Sequence, residues 1–335
     1  MRRILAQGLA GATIATLMAL AGLGAPSASA GDLARPDEKT WRAPDAGALP
    51  YDSHGLLVRR GRDLITATYA HIGPDVANSA KRFAGNNLSC GNCHLDAGAK
   101  KFGLPLYGLS SDFPKYSART GAEISIEDRI NSCMTRSMNG RPLPVTGPQM
   151  KALVSYVKFL SSGLAPGEQL PGHGAGKMAD LDRAADPARG EKVYQRACLD
   201  CHNTDGSGVA RDPKALQLGY AVPPLWGKDS FNEGAGMARI GDLANFVHSN
   251  MPHGADYLNP LLSDEDSWDV AAYVESQQRP QKPGLAEDFS GHLLDKPVDA
   301  PYGPYADDFP ESQHKYGPFG PIRAEIARLK GEGKK

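Results

Sequence analysis

Four of the five cysteines stand in two copies of one pattern, Cys90-Gly91-Asn92-Cys93-His94 and Cys198-Leu199-Asp200-Cys201-His202. Two thiols three positions apart, followed at once by an imidazole, suit three chemistries: a zinc site, a redox dithiol, or covalent capture of a haem. The first two leave the His after each pair without a role. The third uses every residue, because each thiol adds to a haem vinyl group and the His supplies the proximal nitrogen to iron. Two covalent haem c groups are therefore expected, one on Cys90, Cys93 and His94, the other on Cys198, Cys201 and His202.

The fifth cysteine, Cys133, then has no partner for an intramolecular disulfide. It lies in Ser125 to Gly140, which the sequence predicts to be one capped helix: Ser125 with Asp128 resembles a capping box, and Asn139-Gly140 is a stop. Arg129, Cys133 and Ser137 follow one another at intervals of four and would share a face. Two readings of Cys133 stand side by side, an iron ligand and a small buried apolar residue. Met134 and Met138 are further distal-ligand candidates by spacing. In the second half Met251, in Phe246-Val247-His248-Ser249-Asn250-Met251-Pro252, is preferred to Met237 as the ligand, because Pro252 stiffens the chain behind the thioether. His248 and His253 read as surface residues.

The elements that must hold these groups repeat. Upstream of the first motif, Ser53 to Gly61 leads into a helix predicted to run through about His71; upstream of the second, Asp186 caps a helix with Pro187 in its first turn. Each half closes with a helix: Gly147 to Leu160, with Leu153, Val154, Val157 and Leu160 at helical spacing, and Ser263 to Gln277, with Trp268, Val270, Ala271, Tyr273 and Val274. Helix, haem motif, distal ligand, helix is the plan of class I cytochrome c, and strand-like alternation is scarce. The expected fold is mostly α: two class I cytochrome c-like domains at 31–160 and 186–280, each with one haem c. A Pro/Gly-rich linker at 161–185 joins them. A tail at 281–335, rich in Pro, Gly and Tyr, is expected to be extended and packed on the domains, with Ile322, Ile326 and Leu329 forming a last helix.

Residues 1–30 read as a secretory signal peptide: Arg2-Arg3, an apolar stretch to about Ala25, and small residues at Ala28-Ser29-Ala30. The chain is thus expected to be exported to the periplasm, with no membrane span in its mature part. With 37 Lys and Arg against 38 Asp and Glu, and no segregation of sign, nothing points to nucleic acid as a partner.

Beyond these patterns, the sequence resembles the dihaem thiosulfate dehydrogenases, or tetrathionate synthases. The resemblance rests on Leu88-Ser89 before the first haem motif, on Arg129-Ile130-Asn131-Ser132-Cys133 with Arg136-Ser137-Met138-Asn139-Gly140, and on Pro223-Pro224-Leu225-Trp226-Gly227. It continues through Ser230-Phe231-Asn232-Glu233-Gly234-Ala235-Gly236-Met237, Asn250-Met251-Pro252 and the Tyr-rich tail, across essentially the whole mature chain. It implies Cys133 as the distal ligand of a catalytic first haem and a Cys133–thiosulfate adduct during turnover. Arg119 and Arg129 match the family's active-site arginines, and Ser137 a polar residue of the same pocket. Arg136 and Arg141 read as solvated charges. A His202/Met251 haem would relay electrons to an external acceptor such as a small periplasmic cytochrome c. Asn250 replaces the Lys that precedes the distal Met in some members. Two other classes remain open from the residues alone, a non-catalytic dihaem electron carrier and a dihaem peroxidase; iron ligation by Cys133 argues against both.

Overall fold

The computed structural model describes residues 41–332 apart from Pro166 and Gln169; the signal segment lies outside the described residues. In chain order the helices are α1 (Ser53–Thr66), α2 (Thr68–Ile72), α3 (Leu95–Gly98), α4 (Ile126–Thr135), α5 (Pro148–Leu160), α6 (Pro187–Ala197), α7 (Leu199–His202), α8 (Ile240–Asn250), α9 (Asp264–Ser276), α10 (Glu311–Tyr316) and α11 (Phe319–Glu332). Two short antiparallel hairpins interrupt them, β1 (Lys115–Ser117) with β2 (Ala122–Ile124) and β3 (Val209–Ala210) with β4 (Tyr220–Val222).

Each domain is built on one crossing of two helices. Asp52 caps α1 by accepting from Gly55 N–H, and Val58, Gly61, Leu64 and Ile65 form its buried stripe. Where α1 meets α5, a Cβ at Gly61 would lie 2.1 Å from the Ala152 carbonyl oxygen and 2.6 Å from Tyr156 Cβ. The same joint recurs between α6 and α9: a Cβ at Gly190 would lie 1.8 Å from the Asp269 oxygen and 2.9 Å from Tyr273 Cβ. Only glycine permits so close an approach of backbones. The two haem motifs therefore follow helices docked in the same way, as the internal repeat predicts.

Two predicted helices end early. The first breaks at Ala67, whose φ and ψ are −135° and 44°, and resumes as α2. The second, α4, opens as read, with the Ser125–Asp128 capping box intact, but ends at Thr135 instead of reaching Gly140. Its last carbonyls find partners outside the helix. Asn232 Nδ2 donates to Thr135 O at 3.0 Å, Asn232 N–H to Arg136 O at 3.3 Å, and Asn86 Nδ2 to Ser137 O at 3.1 Å. The last carbonyls of a helix need donors from somewhere, and here the second domain provides part of them.

Two apolar cores result. One gathers α1, α4 and α5 around Leu64, Ile126, Met150 and Leu153, and also takes in Tyr220 of β4. The other gathers α6, α8 and α9 around Tyr194, Ile240, Trp268 and Val270, and receives Phe319 and Ile322 from α11. The tail is thus packed on the protein, as its aromatics suggest. His314, 2 % exposed, stacks on Tyr305 with ring centroids 3.6 Å apart and bonds Asp307 and the Val298 carbonyl.

Candidate haem sites and the cysteine face

The first domain encloses a cavity of about 250 Å³. Leu64, Ile65, Ile72, Leu106, Leu153 and Val157 give it apolar walls, and Cys90, His94, Arg129 and Cys133 also line it. Such a cradle suits a haem: flat apolar faces for the macrocycle, a thiol at the edge, and a proximal and a distal side chain. His94 Nδ1 lies 2.5 Å from the Leu104 carbonyl oxygen, so its N–H is spent there and Nε2 is left for iron. Burial lowers the His94 pKa, with help from the Arg129 charge, which keeps the imidazole in its ligating neutral form. Burial pushes the Cys90 thiol up to about 11 and the Cys93 thiol up to about 12.

The second motif has the same second contact. His202 Nδ1 lies 3.1 Å from the Pro223 carbonyl oxygen, and burial lowers its pKa. The thiol of Cys198 is raised by burial to about 11. Met251 follows directly on α8, half-buried, with its N–H bonded to Val247 O at 2.8 Å. Met237 packs both against Phe231, Ala235 and Ala238 and against the second domain's core. His248 is half-buried and pairs with Asp264 at 3.2 Å, whereas His253 is exposed, as its surface reading expects.

On α4 the predicted face is present for two residues of three. Arg129 Nη1 donates to Cys133 Sγ at 2.9 Å, one helical turn apart. Ser137 does not continue that row, because the helix has ended two residues before it. It is half-buried beyond the helix, its carbonyl taken by Asn86. Met134 and Met138, each 2 % exposed, are core residues, Met134 also touching the cavity. Arg119 lies in the turn between β1 and β2, and its Nη1 reaches Ser132 Oγ of α4 at 3.4 Å. Burial lowers its pKa, and the neighbouring Arg136 charge adds to the effect.

Arg136 corrects the sequence reading. It is 9 % exposed rather than solvated, donating Nη2 to Asp288 Oδ1 at 2.7 Å and Nη1 to Gly234 O at 3.0 Å. Arg141, by contrast, is exposed and lies over the Phe83 ring. Nothing local in the sequence marks Asp288 or its partner Tyr302. The only signal was the aromatic richness of the tail, which does not say which domain the tail meets.

Comparison with known proteins places these features. Residues 80–165 match the SoxA/TsdA cytochrome c domain family and residues 187–278 the cytochrome c family. The chain is 37 % identical over 250 residues to a thiosulfate dehydrogenase of Stutzerimonas stutzeri (strain A1501), covering 75 % of this chain and 76 % of that protein. It is 40 % identical over 241 residues to one of Allochromatium vinosum, covering 71 % and 83 %. Among solved structures it resembles the thiosulfate dehydrogenase (TsdBA) of Marichromatium purpuratum, with a TM-score of 0.66 and 31 % identity over 74 % of this chain. The match takes in 51 % of that structure's chain, so this chain spans about half of its length.

Proposed function

The chain belongs to the thiosulfate dehydrogenase family, a cytochrome with two haem c domains, and from that premise we propose that it joins two thiosulfates into tetrathionate at the Cys133 face of the first domain. The observation that carries the proposal is the Arg129–Cys133 contact of 2.9 Å inside the cavity that His94 also lines. A nucleophilic sulfur and a permanent cation share one place, and the substrate is a dianion with a nucleophilic sulfur of its own.

In this reading His94 and Cys133 would hold the iron of the first haem at rest, and the Cys133 thiolate forms a disulfide bond to the sulfane sulfur of one thiosulfate. That join releases two electrons, and the haems, when bound, supply the one-electron acceptors through which an external periplasmic redox protein takes them. A second thiosulfate then attacks the sulfane sulfur of the Cys133 adduct. The bond to Cys133 breaks, tetrathionate departs, and the thiolate returns, so atoms and charge balance over the cycle. Arg129 and Arg119 bind the sulfonate oxygens; Ser137, which lies beyond the end of α4, takes no part in this reading. Met251, with His202, would hold the iron of the second haem. Export through the signal segment 1–30 precedes haem attachment. No helix among the described residues is long and apolar enough to cross a membrane.

The test is Cys133→Ala. Tetrathionate formation from thiosulfate with ferricyanide as acceptor should vanish, while both haems stay attached through the other four cysteines. The oxidised wild type should give a thiolate-type low-spin electron paramagnetic resonance signal, absent from the variant. Wild-type turnover by Cys133→Ala would end this mechanism and return the electron-carrier reading.

A further inference from the structure

The tail beyond α9 returns to the first domain along the hairpin that carries Arg119. Phe289 N–H donates to the Arg119 carbonyl oxygen at 3.0 Å, and the Arg119 guanidinium lies over the Phe289 ring, 5.8 Å from its centroid. Three residues on, His292 Nδ1 lies 3.3 Å from Tyr116 Oη of β1. Between Arg119 and the end of α4 stands Asp288, 8 % exposed. Its Oδ1 accepts from Arg136 Nη2 at 2.7 Å, and its Oδ2 accepts from Tyr302 Oη–H at 2.8 Å. The same Oδ2 lies 3.8 Å from Arg119 Nε.

The two arginines differ in what they have left to give. Arg136 spends both terminal nitrogens on protein, one on Asp288 and one on the Gly234 carbonyl. Arg119 makes one long contact to Ser132 Oγ, and its buried Nε has no hydrogen-bond acceptor. Arg119, whose side chain is 29 % exposed against 10 % for Arg136, therefore keeps more of its donors open to a ligand. Two guanidiniums this close repel unless an anion sits between them, and a partly buried cation stripped of its partner is costly.

We propose that Asp288 is a positioning residue for the thiosulfate anion: the shared counter-ion from the tail that neutralises Arg136 and holds Arg119 in place as a free cation of the pocket. This rests on the reading of Arg119 as a substrate-binding group. The tail is then part of the active site, although it belongs to neither haem domain.

Three variants decide it: Arg119→Ala, Asp288→Asn and Tyr302→Phe, the last removing the hydroxyl that bonds Asp288 while keeping the carboxylate. Thiosulfate KM and kcat are measured with ferricyanide, with haem content and melting temperature as checks on folding. Arg119→Ala raises KM about tenfold. Asp288→Asn raises KM about threefold or more with kcat within about twofold, and Tyr302→Phe raises KM less but in the same direction. Were Asp288 only a competitor for the arginines, its loss would lower KM; were it only a fold clamp, KM would not move. Either result, beside a raised KM in Arg119→Ala, overturns the proposal. An unchanged KM in Arg119→Ala instead overturns the reading of Arg119 beneath it. Should Asp288→Asn lose haem or fold, Tyr302→Phe carries the test alone: a raised KM supports the proposal and an unchanged one overturns it.

Discussion

Replacing Arg129 by alanine removes one charge-assisted contact, the 2.9 Å bond from Nη1 to Cys133 Sγ, and with it the cation nearest the sulfur. A contact of that kind is worth about 1.5–3 kcal/mol when shielded from water. Arg129 is an exposed residue, so solvent screening places the loss toward the lower end, about 1.5 kcal/mol. That corresponds to roughly a tenfold fall in kcat/KM for thiosulfate. Arg129→Lys keeps the charge, and positions 129 and 133 lie one turn apart on α4, within reach of an ammonium. It cannot supply the planar fork that spans two sulfonate oxygens, so it should recover only part of the loss. The assay is tetrathionate formed against ferricyanide reduced, over a range of thiosulfate concentrations, with the haem spectrum confirming an intact first site. Wild-type kcat/KM in Arg129→Ala, with that spectrum unchanged, would refute the argument, since the nearest cation would then be irrelevant to a dianion.

Further expectations separate the remaining assignments. Cys133→Met should restore a six-coordinate first haem with little activity, because a thioether forms no disulfide adduct; full activity would exclude the adduct. Met251→Gly should remove the Met-to-iron charge-transfer band at the red edge of the spectrum while thiosulfate still perturbs the first haem; loss of the band in Met237→Gly instead would reverse the assignment. Acid–acetone extraction should leave all haem on the protein, and release of half would show that one motif holds none. Burial pushes the Glu275 carboxyl up from 4.5 to about 7 against the pull of Arg279. The folded protein thus holds that proton more tightly than the unfolded chain, so this group's contribution is full below pH 4.5 and lost as pH rises through about 7. The melting temperature of Glu275→Gln relative to wild type should therefore climb over that interval; a difference independent of pH would contradict the shift.

What the sequence discloses is what lies close along it. The haem motifs are five residues long and carry their covalent chemistry within themselves. The start of α4 is equally local, since Ser125 and Asp128 cap it from three residues apart. Its end is not. The partners of Thr135 and Arg136 come from Asn232, nearly a hundred residues on, so the local stop signal at Asn139-Gly140 lies past the true end and Ser137 does not join the face its spacing suggests. Arg136 looked solvated because its counter-ion, Asp288, lies 152 residues away in a tail whose composition announces packing without direction. Arg129 and Cys133 were paired correctly because an interval of four within a helix needs no distant partner.

The bridge made by Asn86 and Asn232 bears on how this protein can be divided. Asn86 Nδ2 reaches both Ser137 O and Ser230 O at 3.1 Å, and Asn232 closes the carbonyl end of α4. Cutting the chain in the linker would preserve both haem-attachment motifs and yield two plausible cytochromes on paper. The N-terminal piece would nevertheless carry a frayed last turn two residues from Cys133, with Thr135 and Arg136 carbonyls returned to water. Its modularity is that of cofactors rather than of activity: the second domain serves as a splint for the helix on which the first domain's sulfur sits.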